Sequence, residues 1–388
     1  MKLLNLIAIS LCVTASTRAN AQLANAQLIF STNHGALTVT KCVTVGPVVI
    51  PDMAYGMPVV AIGDDASQGL INPSVTIGNN VTTIGNRAFQ HDYVSYLSIG
   101  NSVTNIGDNA FENNFLQSVT IPNGVIRIGT AAFAGNDLSE GDVTIPGSAT
   151  SIGDNAFLNC RMTNVIIGAS VTSIGTSAFG LCSSLHAINV DPLNGNYSGL
   201  DGVLFDKSRS LLIQYPAGGS RSYVIPNSVT SIGESAFYAA YNLTNVTVPG
   251  GVTNLGDWAF AYCVFLKSAF FLGNAPALGG LDPFQGSTVS CYYLSGKSGW
   301  GPTYGGMPAF LWNPAPQSAG PNFGVRSNRF GFNITGTPDI PLLIEAATNL
   351  AGSSWVPLQT CSLTNGSIYF SDPAWTNYRS RLYRIRSP

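Results

Sequence analysis

Five acidic residues recur at one place in a repeated phrase. Asp64, Asp108, Asp154, Glu234 and Asp257 each follow the glycine of an Ile/Leu-Gly-x-x-Ala pattern. Carboxylates at fixed spacing could ligate calcium or divide acid and base roles. However, Asn86, Thr130 and Thr176 hold the same place, and ligand sets tolerate such exchanges poorly. The column is therefore expected to cap short helical turns, where an acidic side chain accepts free N–H groups and faces the positive end of the dipole. Asp191, Asn194, Asn196 and Asp201 form a denser oxygen cluster, but their spacing lacks the order of a calcium loop. No metal is expected.

Nucleophilic chemistry fares no better. The three histidines, His34, His91 and His186, fall in a hairpin turn, a loop and a strand, far apart in the chain. There is no G-x-S-x-G, H-E-x-x-H or P-loop, and Gly299-Trp300-Gly301 with Gly305 lacks the strand-to-helix context of a dinucleotide fingerprint. Although two carboxylates suffice for a glycosidase, nothing singles out a pair, and neither an enzyme nor a cofactor is expected. Cys160, Cys182 and Cys263 share one position, three residues after a repeated Phe. They are expected to be buried thiols. Export would permit a Cys160–Cys182 disulfide between neighbouring coils, but other copies carry Asp, Asn or Ala there, so a bond is not expected. Zinc is not expected either.

The elements that position these residues come from the repeat. Ile-Gly-x-x-Ala-Phe recurs at Ile84, Ile106, Ile128, Ile152, Ile174 and Ile232, with variants at Ile62 and Leu255, at steps of about 22 residues broken by one of 24 and one of 58. Leu116-Gln117-Ser118-Val119-Thr120-Ile121-Pro122 alternates as a half-buried strand that proline ends. Val125 to Ile128 is a second extended piece, and Ala131 to Phe133 fits a helical turn. One such coil cannot bury its Leu, Val, Ile and Phe. Stacking about ten coils at ~4.8 Å buries them continuously over roughly 45 to 50 Å. Phe89, Phe111, Phe133, Phe157, Phe179, Phe237 and Phe260 then form an interior ladder.

These phrases resemble the BspA-type leucine-rich repeat family. Leu243-Thr244-Asn245-Val246-Thr247-Val248-Pro249 and Ser231-Ile232-Gly233-Glu234-Ser235-Ala236-Phe237 read like its units, and Asn196-Tyr197-Ser198 with Asp201-Gly202-Val203-Leu204-Phe205 resembles its irregular inserted coil. The resemblance implies a repeat solenoid, a leucine-rich-repeat right-handed coil of short parallel strands and turns. It also implies a range of bacterial surface adhesins and binding proteins, with no catalytic residues to carry over.

Around the array, residues 1–21 read as a secretory signal. Lys2 precedes an apolar run, which is shorter than the ~20 residues that span a bilayer, and Ala19-Asn20-Ala21 is a cleavage pattern. Ala24-Asn25-Ala26 repeats it five residues later. Residues 22–47 suggest a capping hairpin, and 48–312 the array, with an inserted coil near 183–226 and a closing cap in which Trp300 and Trp312 seal the core. Three prolines make 313–322 a linker, and 323–388 reads as a small antiparallel β-sandwich. The four arginines within 379–386 are expected to be outward residues of a terminal strand.

Charged residues are only 9% of the chain and the net charge is −2, so no positive field exists to hold nucleic acid or an anionic membrane. No transmembrane segment is expected in the mature chain. A secreted or cell-surface location follows, with an extracellular protein or polysaccharide as partner. The candidate binding residues are the outward positions of the strands: Ser95, Tyr96, Gln117, Ser118, Thr163, Asn164, His186, Asn189, Thr244 and Asn245. The alternative is a structural envelope or scaffold protein, for which the same polar face is simply solvated.

Overall fold

A computed structural model describes residues 10–11, 28–43, 45–349 and 354–387. The segment read as an export signal lies outside them apart from Ser10–Leu11, which pairs with Leu28 and Ile29. The first hairpin, Leu28–Asn33 with Ala36–Cys42, turns at His34 and Gly35, both in the left-handed region that a two-residue hairpin turn requires. Its second strand runs parallel to Met57–Ile62, so the hairpin becomes the first rung of a ladder.

Two columns of parallel strands follow. One consists of two-residue rungs before each repeated glycine, with Ile84, Ile106, Ile128, Ile152 and Ile174 in register. Here the coils approach so closely that a Cβ on Gly107 would lie 2.6 Å from the Gly85 backbone, which is why the phrase keeps glycine. The other column holds the alternating strands, among them Ser74–Ile77, Tyr96–Ser98, Asn164–Ile167, Ala187–Val190 and Asn245–Val248. Inward Val and Ile of both columns, with the Phe ladder, make two successive cores that divide at the inserted coil, one ending with Ile188 and Leu204 and the next beginning with Val203 and Phe205.

The turns differ from expectation. No α-helix occurs among the described residues. Alternate turn N–H groups donate to the next coil's carbonyl, as Phe133 N–H does to Ala156 O at 2.8 Å, while those between close the turn itself, as Ala132 N–H does on Gly129 O at 3.3 Å. The second x of the phrase is left-handed, including Asn109, Ala131 and Asn155, which excludes helix. The acidic column accordingly caps nothing. Asp64 Oδ1 accepts the N–H of Asn86 at 2.7 Å, Asn86 Oδ1 that of Asp108 at 2.8 Å, and Asp108 Oδ1 that of Thr130 at 2.9 Å. The column is a ladder between coils, which is why Asn serves as well as Asp.

The strand expected over 116–122 is missing. Backbone bonds run from Phe115 N–H to Val94 O, from Leu138 N–H to Leu116 O and from Glu140 N–H to Gln117 O. Beyond Gln117 the pairing stops, and the column splits between Tyr96–Ser98 and Val143–Thr144. This occurs beside the 24-residue step, whose extra length includes Gly141 at φ 103.

The long step holds an antiparallel hairpin, Tyr197–Leu200 with Val203–Asp206, and then Leu211–Gln214, which resumes the Ile column. Asn194 Oδ1 accepts the N–H groups of Asn196 and Tyr197, so the candidate calcium cluster is committed to shaping this loop. Among the described residues no cluster of His, Cys, Asp or Glu could hold a metal.

C-terminally, one antiparallel sheet contains Gly324–Arg326, Arg329–Thr335 and Ser367–Asp372, and a second Pro341–Ala347, Val356–Ser362 and Leu382–Arg386. Phe332, Ile334, Leu342, Ile344 and Phe370 fill their common core. The stretch read as linker is only partly one, because Ala315–Pro316 pairs with Thr335 and Ile334. This module packs on the array. Trp312 Nε1 donates to Pro341 O at 2.8 Å, and Phe270 and Tyr292, outward on the last strands, join the module's core. Thus Trp312 fastens the module, whereas Trp300 seals the array, its ring parallel to that of Tyr293 at 5.0 Å. Three of the C-terminal arginines meet acids within the chain: Arg381, just before the last strand, with Asp372 at 2.6 Å, and Arg384 and Arg386 on it with the buried Glu345 at 2.6 and 3.1 Å.

Candidate functional site

The strand face presents its candidate residues in adjacent rows. Ser95, Thr163, His186 and Thr244 stand at the corner entering their strands, with Tyr96, Asn164 and Asn245 one place further along, while Gln117 and Ser118 hold the equivalent places in the coil whose strand is missing. Asn189 lies on the outward face of its own strand. Most are exposed, with Thr244, Asn164 and Asn245 half-buried. Several hydroxyls and amides are engaged within the chain. Ser95 Oγ donates to Pro73 O at 2.9 Å, Thr244 Oγ1 to Arg221 O at 2.8 Å, and Asn164 Nδ2 to Asp142 Oδ1 at 2.9 Å.

The structure gathers three of the ten. Ser95, Tyr96 and Ser118 line one cleft of about 270 Å³, with Ser98, Ile99 and Thr120, where the column splits. Tyr96 is 62% exposed at its rim. Residues 118–121 make no backbone hydrogen bond to either neighbouring coil among the described residues, so the cleft floor offers unpaired N–H and C=O groups. Thr163, Asn164, His186, Asn189, Thr244 and Asn245 lie on later coils and are not brought into it. Beyond Asn245–Val248 the face closes, since Phe270 and Tyr292 are buried in the core of the C-terminal module.

A second cleft, of about 510 Å³, opens on the turn side, and sequence reasoning missed it. It follows from the inserted coil. Leu212 pairs with Ile232 and Tyr223 with Val246, so eleven positions separate the columns in the insert against fourteen in the next coil. The return is too short to build a full turn. Consequently the N–H groups of Ser177, Phe179 and Leu181, which elsewhere donate to the next coil, have no such acceptor. Asp154, Asn155, Thr176 and Leu181 lie on one side of the gap, and Glu234, Tyr238, Trp258, Tyr262 and Gln285 on the other. Tyr238 and Tyr262 meet edge to face, centroids 5.5 Å apart at 76°. Burial, then the neighbouring Tyr262 and Tyr241, raise the Tyr238 pKa. The overlooked signal was an aromatic, Trp258, in a column that elsewhere holds Asn, Ser, Ala, Asp or Arg.

The cysteine column is inert. Cys160, Cys182 and Cys263 are buried and unbonded to one another, and each Sγ lies 2.9 to 3.3 Å from the carbonyl of a Phe one coil earlier. The amides of Asn114 and Asn136 fill the same role. Desolvation pushes Cys160 and Cys263 up to about 12.

Six copies of the BspA type leucine rich repeat region match residues 60–186 and 219–279. A leucine rich cell surface protein of Faecalibacterium prausnitzii has a similar structure, with a TM-score of 0.51 and 26% identity over 70% of this chain and 88% of that one. A leucine-rich repeat protein of Eubacterium ventriosum is 22% identical over 70% and 77% of the two chains, with a TM-score of 0.43. The pneumococcal vaccine antigen PcpA is 15% identical over 75% and 98%, with a TM-score of 0.44. No curated protein matches the sequence. No helix among the described residues is long and apolar enough to cross a membrane.

Proposed function

We propose that this chain, whose array is built of BspA-type leucine rich repeats, is exported and displayed at the cell surface, where it binds an extended segment of an extracellular protein on its strand face. The observation that supports this reading is the meeting of Ser95, Tyr96 and Ser118 in a cleft whose floor has unpaired strand backbone. An extended polypeptide can pair with such an edge while its side chains meet the polar rim, which is recognition by strand addition. Asn164, His186 and Asn245 on later coils extend the track. Similarity to a leucine rich cell surface protein supports the location.

The test immobilises the full chain and measures binding of purified extracellular-matrix proteins. Tyr96→Ala combined with Ser118→Arg, which fills the cleft, is expected to weaken binding tenfold or more with unchanged circular dichroism. Binding should vary little between low and moderate salt, because few charges line the face. Full affinity in the double variant would move the site elsewhere. A chain that binds none of these proteins would favour the scaffold reading.

A further inference from the structure

We propose that the turn-side cleft is a separate binding site for a neutral saccharide. Three observations converge on this ligand class. First, the walls combine the two surfaces that a pyranose needs, an aromatic plane for its apolar C–H face and polar groups for its hydroxyls. Trp258 and Tyr262 supply the former, with Tyr238 set edge-on against Tyr262, while Asp154, Glu234 and Gln285 supply the latter. Secondly, the gap comes with its own backbone donors. Ser177 and Leu181 line the cleft, and their N–H groups have lost the carbonyl partners that every complete coil provides. A ligand oxygen can replace them. Thirdly, Trp258 adopts φ 53, in the left-handed region that a bulky side chain enters only at a cost. In the coils where the turn ladder is complete, this position holds Asp65, Arg87, Asn109, Ala131, Asn155 or Ser235. All of these residues share the left-handed conformation, which belongs to the turn; what sets this copy apart is that it places an indole, the poorest fit to that conformation, on the wall of the gap.

Charge narrows the class further. Two carboxylates and no cation line the cleft, so uronic acids, sulfated glycans and phosphates are repelled. Carboxylates instead accept hydrogen bonds from uncharged sugar hydroxyls, and these are stronger than neutral pairs. The volume, about 510 Å³, accommodates a short run of sugar rings.

The experiment titrates the full chain with malto-, cello-, xylo- and manno-hexaose at up to millimolar concentration, followed by tryptophan fluorescence and calorimetry. At least one neutral oligosaccharide is expected to bind and to shift the indole emission. Trp258→Ala should weaken that binding tenfold or more, whereas Trp258→Phe should retain most of it. Tyr262→Ala should weaken it as well. Should Trp258→Ala lose its fold by circular dichroism, Tyr262→Ala and Gln285→Ala decide the matter. Tyr96→Ala should leave sugar affinity unchanged, which separates this site from the strand-face cleft. Polygalacturonate should not bind. Absence of binding by all four oligosaccharides, preference for polygalacturonate, or full affinity in Trp258→Ala and Tyr262→Ala would each overturn the proposal.

Discussion

Replacing one phenylalanine of the interior ladder tests whether stacked coils behave as the geometry requires. Phe133 is fully buried, and its ring lies between those of Phe111, at 5.5 Å and 12°, and Phe157, at 5.3 Å and 11°. Truncating a buried Phe to Ala costs about 3 to 5 kcal/mol through lost transfer energy and the cavity left behind. Relaxation should be small, because backbone bonds from Phe111 N–H to Ala132 O and from Phe133 N–H to Ala156 O hold the coils at fixed spacing. Phe179 is an internal control. It is equally buried but stacks on Phe157 alone, at 5.8 Å, and its own N–H has no partner in the next coil. With one stacked pair fewer, each worth about 0.5 to 1.5 kcal/mol, Phe179→Ala should cost less than Phe133→Ala by roughly that amount. Urea denaturation followed by circular dichroism measures the total. Coils of a repeat array need not unfold together, so native-state hydrogen exchange at the amides of Phe111 and Phe133 measures the local opening. A loss below about 2 kcal/mol in Phe133→Ala, or a larger loss in Phe179→Ala, would refute the ladder as a source of stability.

Asp92 lies fully buried at the position that holds Asn114 and Asn136 in the next two coils, and desolvation raises its pKa. Since folding raises this carboxyl's pKa, stability is lost as pH rises through the folded value. Asp92→Asn should therefore stabilise the chain by about 1 kcal/mol at neutral pH, once the Asn72 amide that now donates to Asp92 Oδ2 turns over to accept, and the gain should vanish in acid, as thermal melts at pH 7 and pH 3 would report. With Cys42, Cys160, Cys263 and Cys291 raised to about 12 by burial, native protein at pH 8 should react with iodoacetamide at Cys361 first. Mass spectrometry after unreduced denaturation should then find the five other cysteines from Cys42 onward labelled too, and a protected Cys160–Cys182 pair would contradict this structure. Limited proteolysis should cut first within 318–323, exposed chain between the paired Ala315–Pro316 and Gly324–Arg326, and earliest cuts inside the array would contradict that boundary.

Much of the fold was legible because burial imposes periodicity. Ile84, Ala88 and Phe89 recur with their equivalents because each coil adds the same inward side chains, and spacing reports that directly. Partners are another matter. An acceptor after a turn glycine can serve an N–H three residues on or one in the coil above, and Asp64 does the latter. Spacing alone does not separate the two, although Asn86 and Thr130 at the same place argued against any role that needs charge. Phe284 stacks at the end of the ladder, 5.7 Å from Phe260, yet its copy opens with Leu278-Gly279, carries an extra residue and has Pro283 where the phrase has Ala. Tyr215 likewise takes the place of a Phe beneath Phe237 without the surrounding phrase. The acids that hold Arg381, Arg384 and Arg386 lie on other strands, Asp372 and Glu345, and only folding brings them close.

The two clefts share an origin that the sequence did contain. A perfect repeat presents the same surface at every coil and leaves no backbone group unpaired between neighbours, so it offers an extended face without a distinctive pocket. Pairing fails where the period changes. Beside the 24-residue step the strand column splits and Ser95, Tyr96 and Ser118 come to line a cleft, while the 58-residue step brings a short return that leaves Ser177 and Leu181 without acceptors. The outward residues of the regular strands were the natural candidates as long as the array was treated as uniform. At the steps of 24 and 58 ladder donors must find another partner, and the coils that flank those steps carry the distinctive side chains. There the aromatics Tyr96, Tyr238, Trp258 and Tyr262 stand within two coils of a change in period, next to backbone that an outside ligand can complete.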